Sequence, residues 1–249
     1  MSGHNKWSSI KYKKGAADAK RGKLFTRLVK EIIVAAREGG GDPEANPRLR
    51  IAISNARNAN MPNSNIERAI KHGTGELEGV NYESYVYEGY GHNGVAILVE
   101  VLTDNKQRTV SEVRHTFAKN GGSLAETGAV AWNFEQKGLI EIEKNDLEEE
   151  EMMEAALDAG AEDFITDNEF YKIYTSYTEL HSVVHNLEEA GYNIKKAELT
   201  QVPKNKVKAD DIAEKLLKLL DQLEDLDDVQ KVYANYEISD EILERLSQD

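Results

Sequence analysis

The chain has 249 residues, 40% of them hydrophobic and 31% charged, and no cysteine; it is long enough for two or three cored domains, while disulfides, thiolate metal sites and cysteine nucleophiles are excluded. Its formal net charge is −14, but residues 1–75 carry 15 Lys and Arg against 6 Asp and Glu, whereas residues 76–249 carry 16 against 39. A uniformly acidic body that repels phosphate is thereby excluded too, and what remains is a basic segment carried on an acidic one, the pattern of an arm that binds a polyanion.

The opening GHNKWSSIKYKKGAADAKRGKLFTRLVKEI holds nine cations (Lys6, Lys11, Lys13, Lys14, Lys20, Arg21, Lys23, Arg27, Lys30) against one acid, Asp18, before Glu31. Cations neutralise phosphates and release counterions, and aromatic faces stack on exposed bases, so Trp7 and Tyr12 among the lysines suit nucleic acid better than a basic run alone. The same aromatics could instead pin the arm to the body, which leaves the lysines unexplained. Residues 1–23 lack the apolar core of a signal peptide and the longest aliphatic run, Val95 to Val99, is far short of a membrane span, so a cytoplasmic protein without a membrane partner is expected.

Leu24, Phe25, Leu28, Val29, Ile32, Ile33 and Ala36 recur at helical spacing and predict a long amphipathic helix from Asp18 to Glu38. Lys20, Lys23, Arg27, Lys30 and Arg37 fall in one sector roughly opposite that stripe, which predicts a basic rail facing solvent. After Gly39 to Gly41, Asn46-Pro47 opens a second helix to Ala59 as N-cap and first-turn proline. Ser64 and Glu67 form a capping-box pattern for a third, with Gly73 as its stop. Arg48, Arg50, Arg57, Arg68 and Lys71 extend the positive field over these helices. Asn55, Asn58, Asn60, Asn63 and Asn65 can read base edges but are equally capping and turn residues, and the second role is the one adopted.

From residue 80 the period changes to two. Strands are predicted at Tyr82–Tyr87, Val95–Leu102 and Ala129–Phe134, with a helix at Val110–Ala118. Residues 139–203 then read strand, helix, strand, strand, helix, strand, a complete split βαβ unit of the ferredoxin-like kind. The helix Ala209–Leu223 and strand Val229–Tyr236 follow a finished unit and need a sheet, since an isolated strand is not stable. The expected fold is α+β: a basic arm and helical bundle (1–78), a middle α/β domain (79–134 plus 204–249), and a ferredoxin-like βαββαβ domain (135–203) inserted into it.

Three patterns suggest chemistry without carrying it. Gly89-Tyr90-Gly91-His92-Asn93-Gly94 matches a dinucleotide fingerprint, but the β-branched run that follows cannot be the helix which receives a pyrophosphate. His181 and His185 are four apart without an evident third ligand, so no metal is expected. Glu148 to Glu151 suits a solvated helix start. No nucleophile with a base, carboxylate pair in an apolar setting or phosphate-cradling loop stands out, so neither an enzyme nor a cofactor is expected.

The N-terminal segment, together with MPNSNIERAIKHGTGE, YEGYGHNGVAILVEVLTDN and RTVSEVRHTFAKNGGSLAETGAVAWNF, resembles the YebC/PmpR family over nearly the whole chain. The resemblance implies three domains, one helical and two α/β, in a bacterial cytoplasmic protein. It also implies a family named for transcriptional regulation, with other members tied to translation and the ribosome. The expected function is a DNA-binding regulator of transcription, the alternative a translation factor on ribosomal RNA. The expected contacts are Lys6, Trp7, Lys11, Tyr12, Lys13, Lys14, Lys20, Arg21, Lys23, Arg27, Lys30, Arg48, Arg50 and Arg57.

Overall fold

The computed structural model describes residues 17–145, 147–167 and 169–248. Helix α1 spans Ala17–Gly39. Ile32, Ile33, Val34, Ala35 and Ala36 are all buried; five consecutive positions cover the whole helix circumference, so this half of α1 is enclosed on every side. Helix α2 is Pro47–Asn58, and the Asn46 side chain accepts from Leu49 N as its cap. The Asn46 amide also donates to the carbonyls of Ala35 and Gly40, both at 2.8 Å, and so ties the end of α1 to the start of α2.

Helix α3 spans Asn63–Thr74 and departs from the sequence reading at both ends. Pro62 occupies the N-cap position and no side chain caps it; Asn65 N and Ile66 N donate to the Pro62 carbonyl. Ser64 is therefore already inside the helix, and the Ser64/Glu67 capping box does not form. Gly73 is not the stop. It is the last buried residue of α3, and a Cβ placed on it would lie 2.6 Å from both the Ala36 Cβ and the Ile33 carbonyl oxygen of α1. The stop is Gly75, at φ 82°, a left-handed position natural to glycine. Gly73→Ala is expected to cost about 1–3 kcal/mol, because the obstruction is backbone as well as side chain; thermal denaturation measures it.

Strands β1 (Glu83–Tyr90) and β2 (Ala96–Thr103) form an antiparallel hairpin in which Tyr85 faces Val101 and Gly89 faces Ile97. The glycine-rich loop therefore joins two strands. Helix α4 (Lys106–Lys119) follows, its first turn capped by Asn105, and then the short strand β3 (Ser123–Leu124). The expected strand Ala129–Phe134 is absent: the segment makes a 3-10 turn at Ala131–Asn133 before β4 (Phe134–Glu143) begins. The cause is Glu88. Its carboxylate, 4% exposed, accepts from the N–H groups of Gly128 (2.6 Å), Val130 (2.7 Å) and Ala131 (2.9 Å). Two of those donors, Val130 and Ala131, belong to the segment expected as a strand and are withdrawn from any sheet ladder.

The inserted unit continues through α5 (Glu149–Ala159), β5 (Asp163–Thr166), β6 (Phe170–Ser176), α6 (Leu180–Glu189) and β7 (Ile194–Pro203). Its sheet runs β5-β6-β4-β7, the order that a βαββαβ chain of ferredoxin-like topology produces. Ile140, Ile142, Met152, Tyr171, Ile173, Val183 and Leu187 form its core.

The chain then returns through β8 (Val207–Lys208), α7 (Ala213–Glu224), β9 (Val229–Ala234), β10 (Tyr236–Glu237) and α8 (Asp240–Gln248). Strand β9 pairs antiparallel with β2, completing the sheet β3-β1-β2-β9, and β8 pairs parallel with β10. Val95, Ile97, Val99 and Val101 share one core with Val113 and Phe117 of α4, Leu216, Leu220 and Leu223 of α7, and Leu243 of α8. Asp228, just before β9, accepts from Thr103 Oγ1 (3.1 Å), Thr109 Oγ1 (2.7 Å) and Arg108 (2.6 Å). One buried carboxylate thus joins the end of β2, the first turn of α4 and the start of β9.

Two compact units result. One contains Val80–Glu135 and Val202–Asp249 with α1 as far as Leu24; the other contains Phe25–Gly79 and Gln136–Gln201.

Candidate nucleic-acid interface

Lys6, Trp7, Lys11, Tyr12, Lys13 and Lys14 lie outside the described residues, and of Lys20 only its place in α1 is described. The remaining expected contacts divide by environment. Arg21 and Arg57 are exposed and Arg27 is half-buried. Lys23 is exposed, but its ammonium donates to the Asp225 carboxylate at 3.0 Å and to the Asp225 carbonyl at 2.9 Å. Both partners of that pair are solvated, where an ion pair is worth about 0–1 kcal/mol and yields readily to a competing phosphate.

Lys30 corrects the solvent-facing rail: it is 6% exposed, because it sits just before the enclosed half of α1. Arg48 is exposed and paired. Its guanidinium reaches Glu31 at 2.9 Å and Glu38 at 2.5 Å. Burial pulls its pKa down, and the two carboxylates more than offset this, leaving it raised. This cation is answered by the chain's own acids. Arg50 donates to the carbonyls of Pro43 and Glu44 and so braces the loop before α2.

Two of the asparagines, Asn55 and Asn58, face inward to the protein. Asn55 Nδ2 donates to the Ala197 carbonyl at 2.8 Å while its Oδ1 accepts from Ala197 N at 3.2 Å; Asn58 Nδ2 donates to the carbonyls of Ile194 and Lys195. These amides pair with backbone of β7, and Ile51 of α2 packs on the ferredoxin-like core, which is why Phe25–Gly79 and Gln136–Gln201 fall in one unit. Asn60 takes a turn at φ 59°.

A second gathering of aromatic and basic groups, which sequence reading missed, lies on the turn that Glu88 organises. Trp132 is 66% exposed, with its indole N–H donating to the Ala129 carbonyl at 3.0 Å. Tyr90 donates its hydroxyl to the same carbonyl at 3.1 Å, and the Lys204 ammonium donates to the Trp132 carbonyl at 3.1 Å. Asn133 is clasped to the returning chain: its carbonyl accepts from Lys204 N (2.7 Å) and its Oδ1 from Asn205 N (3.1 Å). The signal available in the sequence was the tryptophan itself, in a segment expected to be a strand.

Among the described residues no group of three or more His, Asp or Glu is placed to hold a metal. His185 faces Glu189 at 3.4 Å. His181 has its pKa lowered by burial and then by Arg50. No helix among the described residues is long and apolar enough to cross a membrane.

Comparison with known proteins covers the whole chain. Residues 5–76 match the family profile described as the TACO1/YebC protein N-terminal domain, and residues 82–236 match the TACO1/YebC second and third domain. A Persephonella marina protein named "probable transcriptional regulatory protein" is 59% identical over 250 residues, covering 99% of this chain and 100% of that protein. A Geobacter sulfurreducens protein of the same description is 57% identical over 247 residues, covering 99% of this chain and 100% of its own length. Among solved structures, a conserved hypothetical protein of Aquifex aeolicus superposes with a TM-score of 0.87 at 52% identity, covering 94% of this chain and 97% of that one.

Proposed function

From the membership of this chain in the TACO1/YebC family, whose bacterial relatives are named "probable transcriptional regulatory protein", we propose that it is a cytoplasmic regulatory protein that binds nucleic acid, with duplex DNA as the leading target, through its N-terminal arm and the first turns of α1. The observation that carries this reading is the concentration of nine Lys and Arg, with Trp7 and Tyr12, against the single acid Asp18 in residues 1–30, in a chain whose remainder is strongly acidic. Lys6, Lys11, Lys13, Lys14 and Lys20 are the phosphate contacts, continued along α1 by Arg21, Lys23 and Arg27. Trp7 and Tyr12 orient the arm. Arg57 is a peripheral contact, while Lys30 is buried, Arg48 is engaged by Glu31 and Glu38 at the surface, and Arg50 by the loop carbonyls.

Charge also explains the division of labour: the acidic body is kept off the polymer that the arm holds. The family's reach into translation keeps one rival in view. The same arm on ribosomal RNA would leave the acidic units to face basic ribosomal proteins. Co-sedimentation with ribosomes against binding to a promoter duplex, each over a salt series, separates the two, since the true target retains binding near physiological salt.

The combined replacement of Lys11, Lys13 and Lys14 by alanine is expected to weaken binding to every sequence tested. It should also reduce the slope of log K against log salt by about 3, one unit per lost phosphate contact. Unchanged affinity and slope in that titration would remove the arm from the mechanism.

A further inference from the structure

We propose that Trp132, Tyr90 and Lys204 form a second nucleic-acid contact, a stacking platform for unpaired bases, separate from the N-terminal arm. Trp132 is the most exposed large apolar side chain among the described residues, and Tyr90 is 38% exposed. Leaving an indole in water forgoes the stabilisation its burial would bring, and here the exposure is enforced by structure. The backbone beneath is fixed by three N–H groups on the Glu88 carboxylate. The residue that follows is clasped by Lys204 and Asn205.

The polar edges of both aromatics are already used on one carbonyl, that of Ala129. What they offer a partner is therefore their faces. A π-face accepts any base without regard to its hydrogen-bonding edge, and a pre-fixed side chain loses little entropy when it does so.

Charge selects the ligand further. Lys204, Lys206 and Lys208 are all exposed in one five-residue stretch, within a region where acids outnumber bases by more than two to one. Glu126 and Glu135 are exposed on either side of the turn in sequence, so this is no continuous basic groove of the kind that tracks a duplex. One cation at the stacking faces, Lys204, with two more close to it in sequence, suits a short run of single-stranded nucleotides, whose bases are free to leave their own stack.

The test uses the full chain carrying Trp7→Phe, which leaves Trp132 as the one tryptophan of the two in the sequence. Titration with a 12-mer oligouridylate is expected to quench its emission, and a self-complementary duplex of equal length is not. In the otherwise native chain, Trp132→Leu should weaken oligouridylate binding roughly 5- to 100-fold, the range for loss of one stacked base, with the melting temperature retained, while Trp132→Phe restores most of the affinity. Emission indifferent to the single strand, with Trp132→Leu binding it like the native chain, overturns the platform and leaves the arm untouched. Emission that responds to nuclease-treated ribosomal proteins but not to the oligonucleotide overturns it in favour of a protein contact. Quenching that survives the Lys11, Lys13 and Lys14 replacements, in a chain that no longer binds duplex through its arm, supports a site independent of that arm.

Discussion

Replacing Glu88 by alanine is expected to destabilise the unit that contains it by about 2–4 kcal/mol, since three backbone donors lose a charged acceptor at a site where water replaces it poorly. Chemical denaturation in a Trp7→Phe background, with the emission of Trp132 as reporter, measures the loss, because the reporter stands on the turn that Glu88 holds. A pH dependence should accompany it. Burial acts to raise the pKa of this carboxylate, but the N–H groups of Gly128, Val130 and Ala131 outweigh it and leave the value lowered. A folded-state pKa below the unfolded one adds stability that is fully present above the unfolded carboxylate value, about 4.3, and is lost as pH falls through the folded value. The stability gap between the native chain and Glu88→Gln should thus be constant near neutrality and close below about pH 4. A gap that widened in acid would contradict the assignment.

Asp228→Ala is expected to cost still more, about 3–5 kcal/mol, as for the removal of one partner from a buried charged network. The carboxylate is 4% exposed. Its loss removes the shared acceptor of the Thr103 and Thr109 hydroxyls and leaves Asp104, at 2.7 Å, as the one carboxylate paired with Arg108 in this cluster. Hydrogen exchange should locate the damage at the pairing of β2 with β9, where the Leu102 amide donates to the Asp228 carbonyl. Asp228→Asn, which keeps the shape and one acceptor, should lose less than alanine. Equal losses would show that charge, not the hydrogen-bonded shape, holds the junction.

Where local chemistry decides structure, the sequence was legible. The apolar period of residues 24–36 gave α1, Asn46-Pro47 gave the start of α2, and the alternation of strand and helix patterns from residue 139 gave the βαββαβ order. The β-branched run after Gly94 ruled out a helix there. Misreadings arose where another residue, near or distant, took over the role that a local pattern suggested. Ser64 and Glu67 carry a capping pattern that Pro62 pre-empts. Gly73 has the look of a terminator, yet its missing side chain makes room for Ala36. The strand expected at 129–134 loses its donors to Glu88, some forty positions earlier.

The candidate interface shows the same limit. Angular position on an ideal helix placed Lys30 with its basic neighbours, but whether a helix face meets solvent depends on what packs around it, and Lys30 is buried. Arg48 looked like part of a positive field because Glu31 and Glu38 lie on another helix and only folding brings them to it. The asparagines of α2 needed β7 in place before their role could be read. Trp132 would have required knowing that its segment turns away from the sheet.

The pairing of β2 with β9 has a consequence for biosynthesis. Ile97 pairs with Ala234, so on the ribosome the hydrophobic edge of β2 waits for a strand that has not yet been made. At about 5–20 residues per second the delay is on the order of 10 s. Throughout that interval Ala96–Thr103, seven of whose eight residues end buried, offers an unsatisfied edge to any extended chain nearby. The inserted unit, contiguous from Gln136 to Gln201, emerges first and can complete its own sheet, so the nascent polypeptide passes through a stage with a finished interior and an open exterior, the stage at which a holding chaperone has the most to protect.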